Sequence, residues 1–148
     1  MKKEQSVKRL SIAMAMSLAM VGVAQAAPVD ITDPWFRALP GKLPAGGYFT
    51  AQNNTRHDVA ITGVSSDACG MLMIHQSSNK SGMSSMDMVV RVTVPASGKL
   101  VFAPGGYHLM CTEPTPKMKI GARVPVVLSL SDGTAVAVGF TVRGATGK

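Results

Sequence analysis

The fold is indicated most clearly by residues 124–142, which read VPVVLSLSDGTAVAVGFTV. In this stretch two valine-rich apolar runs are separated by the pair Asp132-Gly133. An Asp-Gly pair between two such runs is typical of a two-residue β-hairpin turn, because glycine readily adopts the positive φ angle that the turn requires. The stretch therefore predicts two antiparallel strands, at residues 124–130 and 135–142.

The same pattern repeats toward the N-terminus. Short apolar runs alternate with segments rich in Gly, Pro or Asn, and the runs lie at residues 48–51, 59–61, 89–94, 100–102 and 107–111. No segment keeps a helical apolar period over three turns without a Gly or Pro. We therefore expect an all-β fold, a Greek-key sandwich or barrel of about seven or eight antiparallel strands. Residues 28–40 are expected to be a lead segment and residues 41–47 a loop.

The N-terminus has the features of a secretory signal peptide. An apolar stretch at residues 12–23 ends at Ala24-Gln25-Ala26, which matches an A-x-A cleavage site. The basic residues that precede it are Lys2, Lys3, Lys8 and Arg9. A membrane anchor is the alternative, but a spanning helix needs about 20 apolar residues, and this run is shorter. The sequence thus predicts an exported protein with a signal peptide at residues 1–26 and one domain at residues 27–148.

The charge of the predicted domain argues against a nucleic-acid-binding protein. Four of the 15 basic and one of the 8 acidic residues lie in the signal segment, so the domain carries a net charge of about +4. Its basic residues form no run and its aromatic residues are few, whereas nucleic-acid readers show clustered basic or stacking residues. The mild positive charge favours solubility and an acidic partner.

Both cysteines, Cys69 and Cys111, belong to the predicted domain. In an oxidising compartment they could form a disulfide. They could equally be two small buried hydrophobic residues. The sequence leaves this choice open, because it does not give the distance between their Cα atoms.

Histidine and methionine are unevenly distributed along the domain. It contains three histidines and seven methionines, and five of those methionines fall within residues 71–88. His75 lies inside this window, and the pair His108-x-Met110 follows it. Because side chains two residues apart on a strand share a face, His108 and Met110 should point the same way, as should Met86 and Met88.

The residue types in this cluster suit one particular ion. A thioether sulfur is a soft, neutral ligand that selects copper(I), and imidazole binds copper as well. Zinc prefers His, Cys or carboxylate ligands, and no paired carboxylates lie nearby. We therefore predict a copper(I) site formed by His75, Met86, His108 and Met110. The Ser-rich segment at residues 76–85 is expected to be a loop that folds back and brings Met86 near His75.

Other members of the cluster have alternative interpretations. Met88 shares a face with Met86, so either could be the ligand, although spacing favours Met86. Met83 could be an auxiliary ligand or a mobile side chain. Met71 and Met73 are expected to fill the core, and His57 is expected to be a turn residue.

The pattern His75-x10-Met86-x21-His108-x-Met110 resembles the signature of the periplasmic PCuAC-type copper chaperones. Residues 104–110, PGGYHLM, are similar to that family's segment around its second histidine. The resemblance implies a cupredoxin-like Greek-key sandwich whose copper(I) site uses these four ligands. It also implies a periplasmic protein that is not an enzyme. Such a protein delivers copper to a partner, notably the dinuclear site of cytochrome c oxidase subunit II, often alongside Sco-type thiol proteins.

Two other classes of function compete with this interpretation. An electron-transfer copper protein would need a Cys ligand with two His and a weak axial Met. Cys69, His75 and Met83 could supply such a set, with His57 or His108 as the second histidine. A metal-free secreted β module that binds proteins or surfaces would make the His and Met spacing a coincidence. No Ser-His-Asp order, paired acids or phosphate loop indicates an enzyme.

Overall fold

The computed structural model of the chain describes residues 26–148. The signal peptide predicted for residues 1–26 therefore lies outside the described residues, apart from Ala26. A search of the described part of the chain for a helix of sufficient length and apolarity to cross a membrane finds none.

The described residues form an all-β fold, as predicted, but with ten strands instead of seven or eight. In chain order the strands are β1 (Val29–Arg37), β2 (Ala45–Asn53), β3 (Val59–Ser65), β4 (Cys69–Lys80), β5 (Met83–Val89), β6 (Val92–Val94), β7 (Lys99–Phe102), β8 (Tyr107–Pro114), β9 (Arg123–Leu130) and β10 (Ala135–Arg143). The predicted β9–β10 hairpin is confirmed, with Gly133 at a φ angle of 86°. Its turn is longer than two residues, because the Leu130 N–H donates to the Thr134 carbonyl across Ser131, Asp132 and Gly133. The single run predicted at residues 89–94 is divided between β5 and β6.

Strand β1 occupies most of the predicted lead segment, so that prediction was wrong. The strand pairs with β2, but their register shifts between Thr32 and Trp35. Asp33, inside this interruption, has a φ angle of 48°. Such a bulge breaks the apolar alternation by which a strand is recognised in the sequence. The loop predicted at residues 41–47 is also shorter than expected, because β2 already begins at Ala45.

The expected loop at residues 76–85 is instead part of a long β-hairpin. Strands β4 and β5 pair continuously from Ile74↔Val89 to Lys80↔Met83. The connection is only Ser81-Gly82, with φ angles of 54° and 77°. Positive φ at both central residues is the geometry of a type I′ turn, which matches the twist of paired strands. The serine-rich composition therefore belongs to an exposed two-stranded ribbon.

The strands form one continuous sheet in the order β5-β4-β8-β7-β2-β1-β10-β9-β3-β6. Most neighbours are antiparallel, but β1 pairs with β10, and β7 with β8, in parallel. Although β3 and β4 lie far apart in this order, they contact each other, so the sheet folds over on itself around a core. Strand β5 is at one edge of the sheet.

Aromatic side chains fill the centre of the core. Phe36, Phe49, Phe102 and Phe140 are almost fully buried, and Phe140 contacts both Phe36 and Phe49. Leu109 on β8 is also fully buried. Because β8 turns Leu109 inward, the residues on either side of it in the chain face away from the core.

A disulfide joins Cys69 at the start of β4 to Cys111 on β8, with their Cα atoms 5.4 Å apart. The sequence left open whether the two cysteines are bonded to each other, and the structure shows that they are. Cys111 points into the core, as its position next to Met110 requires. The bridge fastens together the two strands that carry His75 and His108.

Candidate metal centre

The two histidines of the predicted site are direct cross-strand partners. Strands β4 and β8 are antiparallel, and their register places His75 opposite His108. Directly opposed residues project from the same face of a sheet. The two imidazole rings accordingly lie edge to face, with their centroids 5.8 Å apart.

His108 is held with one ring nitrogen available. The side chain is buried, and its Nδ1 atom lies 3.1 Å from the carbonyl oxygen of Gly106. Because a carbonyl can only accept, Nδ1 donates the hydrogen of the neutral ring, and Nε2 keeps its lone pair. A backbone carbonyl that fixes the tautomer in this way is a common support for a metal-binding histidine.

His75 contains a buried nitrogen that the protein leaves without a partner. Its Nδ1 atom is inaccessible to solvent and has no hydrogen bond among the described residues. Burial lowers the pKa of His75 below its usual value, and the neighbouring His108 lowers this pKa further. Both effects favour the neutral imidazole, which is the form that binds metals.

The two predicted methionine ligands lie on the same face as the histidines. Met110 is two residues after His108 on β8, and Met86 pairs with Ser77, which is two residues after His75 on β4. Met86, His108 and Met110 line a common cavity of about 320 Å³. His75 is not part of the lining, but its ring lies beside that of His108. The structure thus brings the four residues into one neighbourhood.

Met88 and Met83 do not line the cavity that contains Met86, His108 and Met110. Met88 pairs with His75 on the same face of the hairpin, but it lines a separate cavity together with Met73. Met83 pairs with Lys80 at the end of the hairpin and is 76% exposed. Strand alternation also turns Met83 toward the opposite face from Met86. Met86 therefore shares a cavity with His108 and Met110, whereas Met88 lies opposite His75, and the choice of Met86 as the ligand stays a prediction. Met83 lies at the far end of the hairpin.

His57 lies where the sequence predicts it, whereas Met71 and Met73 differ from their prediction as core residues. His57 lies in the bend between β2 and β3, as expected for a turn residue. The prediction that Met71 fills the core was wrong, because Met71 is exposed. Its position on the outer face of β4 reflects the strand alternation that also turns Met73 and His75 away from the core. Met73 is only half-buried.

Sequence reasoning missed several residues that line the cavity. Arg37, Gly46 and Tyr48 all line it. They lie on β1 and β2, and no spacing rule links them to the methionine window. The pairing of β2 with both β1 and β8, in which Gly46 lies between Arg37 and Met110, brings these residues together.

The available donors limit the chemistry of the site. Among residues 26–148, no three His, Cys, Asp or Glu side chains are arranged to hold one metal ion. In the same part of the chain both cysteines are in the disulfide, so Cys69 provides no thiolate of the kind that electron-transfer copper sites use. The soft donors that line the cavity beside His108 are the thioether sulfurs of Met86 and Met110, which suit a soft cation.

Comparison with known proteins agrees with this architecture. Residues 29–142 match the model of the LpqE-like family, described as "Putative lipoprotein LpqE-like". The chain belongs to the LpqE-like family. A curated relative, "Putative lipoprotein Lxx21020" from Leifsonia xyli subsp. xyli, is 30% identical over 125 residues, which cover 83% of this chain and 74% of the relative.

Two solved structures are similar to this LpqE-like chain. The copper-bound PCuAC domain from PmoF2 aligns with a TM-score of 0.67 and 20% identity, over 81% of this chain and 96% of that domain. Copper(I)-bound DR1885 from Deinococcus radiodurans, solved in solution, aligns with a TM-score of 0.65 and 28% identity, over 81% of each chain. The resemblance to PCuAC domains inferred from the sequence is confirmed, and the fold is of the cupredoxin-like PCuAC type.

Proposed function

We propose that this protein is an exported copper(I)-binding metallochaperone whose ligands are His75, Met86, His108 and Met110. The observation that carries the proposal is the convergence of two imidazoles and two thioethers on one sheet face, with three of these residues in a single cavity. Four neutral ligands, two of them soft, favour a monovalent soft ion over zinc, magnesium or calcium. The copper-bound states of the two structural neighbours support the same ion.

Differences in exposure among the ligands suggest an order of release. His108 is 5% exposed, whereas Met86, on the edge strand β5, is 53% exposed. A partner's thiolate or imidazole would therefore reach the ion from the β5 side and displace the Met86 thioether first. Exchange of ligands one at a time avoids the free ion and requires no chemical catalysis, so the role is binding and transfer.

The proposed compartment is the periplasm, reached through the signal peptide at residues 1–26. This agrees with the lipoprotein description of the family and with a disulfide, which persists in oxidising compartments. The proposed acceptor is the dinuclear copper site of cytochrome c oxidase subunit II, with a Sco-type thiol protein as a second partner. Two equivalents of the copper(I)-loaded protein would be mixed with the reduced, metal-free soluble domain of that subunit. Removal of one electron per centre with a mild oxidant such as ferricyanide should then produce the absorption of the mixed-valence dinuclear centre. A spectrum that stays that of the apo-subunit would rule out this acceptor.

The choice between Met86 and Met88 gives a direct test of the ligand set. Met86→Leu should weaken copper(I) binding by about tenfold or more, equivalent to roughly 1.4 kcal/mol. Folding should be little affected, because leucine has a similar volume and the position is exposed. Affinity would be measured by competition with a colorimetric copper(I) chelator.

Two matched variants make this test specific. Met88→Leu, on the same strand and face, should change the affinity much less. Met83→Leu, at the remote end of the hairpin, should leave it unchanged. A larger loss with Met88→Leu than with Met86→Leu would transfer the ligand role to Met88. Wild-type affinity in both variants would contradict a methionine ligand on β5.

A further inference from the structure

Most of the residues that line the cavity beside the proposed copper ligands are not themselves proposed ligands. Besides Met86, His108 and Met110, the cavity is lined by one basic residue, one aromatic residue and several apolar, small or hydroxyl-bearing residues: Arg37, Tyr48, Leu39, Pro44, Pro104, Gly46, Gly105 and Ser77. Of the described residues that line the cavity, Arg37 is the one with a permanent charge, and none carries a carboxylate. The cavity is therefore electropositive around Arg37.

Arg37 is half-buried, and its guanidinium has no salt-bridge partner within residues 26–148. Its Nε atom is buried and has no hydrogen bond there, and neither of the two salt bridges found there involves Arg37. A buried charged donor without a partner carries a desolvation cost that an anion in the cavity would offset. Arg143, its cross-strand partner on β10, differs in this respect because it is paired with Asp33.

Arg37 lies two strands away from Met110, one of the proposed copper ligands. The register puts Gly46 between Arg37 on β1 and Met110 on β8. A Cβ atom at Gly46 would come within 2.6 Å of the Tyr48 hydroxyl, so the missing side chain makes room for the Tyr48 ring. The guanidinium carbon of Arg37 lies 5.7 Å from the centre of this ring, within cation–π range. Tyr48 thus supports Arg37 beside the cavity.

We propose that Arg37 and Tyr48 form a subsite for an organic carboxylate in this cavity. A planar guanidinium matches the two oxygens of a carboxylate through its paired N–H donors. The apolar side chains of Leu39, Pro44 and Pro104 suit a ligand with a hydrocarbon body better than an inorganic anion. The carboxylate belongs either to a small molecule or to an acidic side chain of a protein, and the binding chemistry is the same for both.

Carboxylate binding at Arg37 does not depend on copper, but its biological role rests on the proposed function. An acidic side chain held at Arg37 would bring a copper-exchanging partner next to Met86, His108 and Met110. The domain's positive net charge, about +4, would favour the approach of such a partner.

The test is a titration of the metal-free protein, expressed as the full chain and purified in the form that the cell exports. Sodium butyrate would be the probe and neutral butyramide its matched control, both at constant ionic strength because salt screens charges. The Arg37 Nε–H signal in a ¹H–¹⁵N spectrum should shift saturably with butyrate and not with butyramide. Arg37→Gln should weaken butyrate binding by about tenfold or more, followed through the Gly46 amide signal.

Arg143→Gln is the matched control variant and should bind butyrate as the wild type does. A response to butyrate that never saturates, or that equals the response to butyramide, would overturn the proposal. So would unchanged binding in a folded Arg37→Gln variant. A parallel titration with a blocked glutamate dipeptide identifies the source: tighter binding than butyrate indicates a protein side chain, and weaker binding indicates a small molecule. Because no copper is present, these outcomes are independent of the copper(I) titration.

Discussion

Replacing His75 and His108 with alanine together should lower the copper(I) affinity of this protein by at least about a hundredfold. Loss of a hydrogen-bond partner behind a metal-binding histidine already costs roughly 10–100-fold. Removal of both imidazoles, which face each other across β4 and β8, should exceed that. The measurement is competition with a colorimetric copper(I) chelator, in which the wild type should retain one equivalent.

His57→Ala is the control for this experiment. Besides His75 and His108, residues 27–148 contain one more histidine, His57, which lies exposed in the bend after β2. Its structural contacts use its backbone carbonyl, which accepts from the Asn53 side chain and remains in the variant. Copper(I) affinity should therefore be unchanged. Thermal unfolding of each variant would separate loss of ligands from loss of fold. Wild-type affinity in a folded His75→Ala/His108→Ala variant would contradict the proposed site.

Reduction of the Cys69–Cys111 disulfide should lower the free energy of unfolding by about 4 kcal/mol. The bridge spans a sequence separation of 42 residues, and closing a loop of that size removes much conformational freedom from the unfolded chain. For a domain of this length the loss corresponds to a fall in melting temperature of about 15 °C. Thermal unfolding of the metal-free protein, with and without a thiol reductant, would measure it.

The variant Cys69→Ala/Cys111→Ala provides the comparison. It should melt near the temperature of the reduced wild type, lowered further by the volume lost in the core, since Cys111 is fully buried. The reductant itself should not change its melting temperature. If the wild type melts at the same temperature with and without reductant while its thiols are shown to be free, the bridge contributes nothing to stability.

Strand alternation explains which parts of the site were predictable from the sequence. A period of two residues is enough to place His108 and Met110 on one face and Cys111 on the other. The same rule paired Met86 with Met88 but could not choose between them, because both share a face. The choice depends on what lies across β5 and around the cavity. In the structure, Met86 alone of the two lines the cavity with His108 and Met110.

The loop predicted at residues 76–85 was wrong because a polar, exposed strand can have the composition of a loop. Residues 76–85 contain serines, asparagine and glycine, and they were expected to form a loop over the site. They form paired strands instead, because the Ser81-Gly82 turn closes a hairpin and the ribbon's exposed position tolerates polar side chains. Strand β1 was missed for a related reason, since the bulge near Asp33 interrupts its apolar pattern.

The sequence by itself determined the all-β class, the Asp132-Gly133 hairpin and the orientation of neighbouring side chains along β8. These features depend on local turn chemistry and on the two-residue period of a strand. Only the tertiary structure decided that His75 faces His108, that Cys69 bonds to Cys111 and that Arg37 shares a cavity with Met110. These relations follow from the register between strands distant in the chain. That register is set by burial of the shared core, which no local pattern encodes.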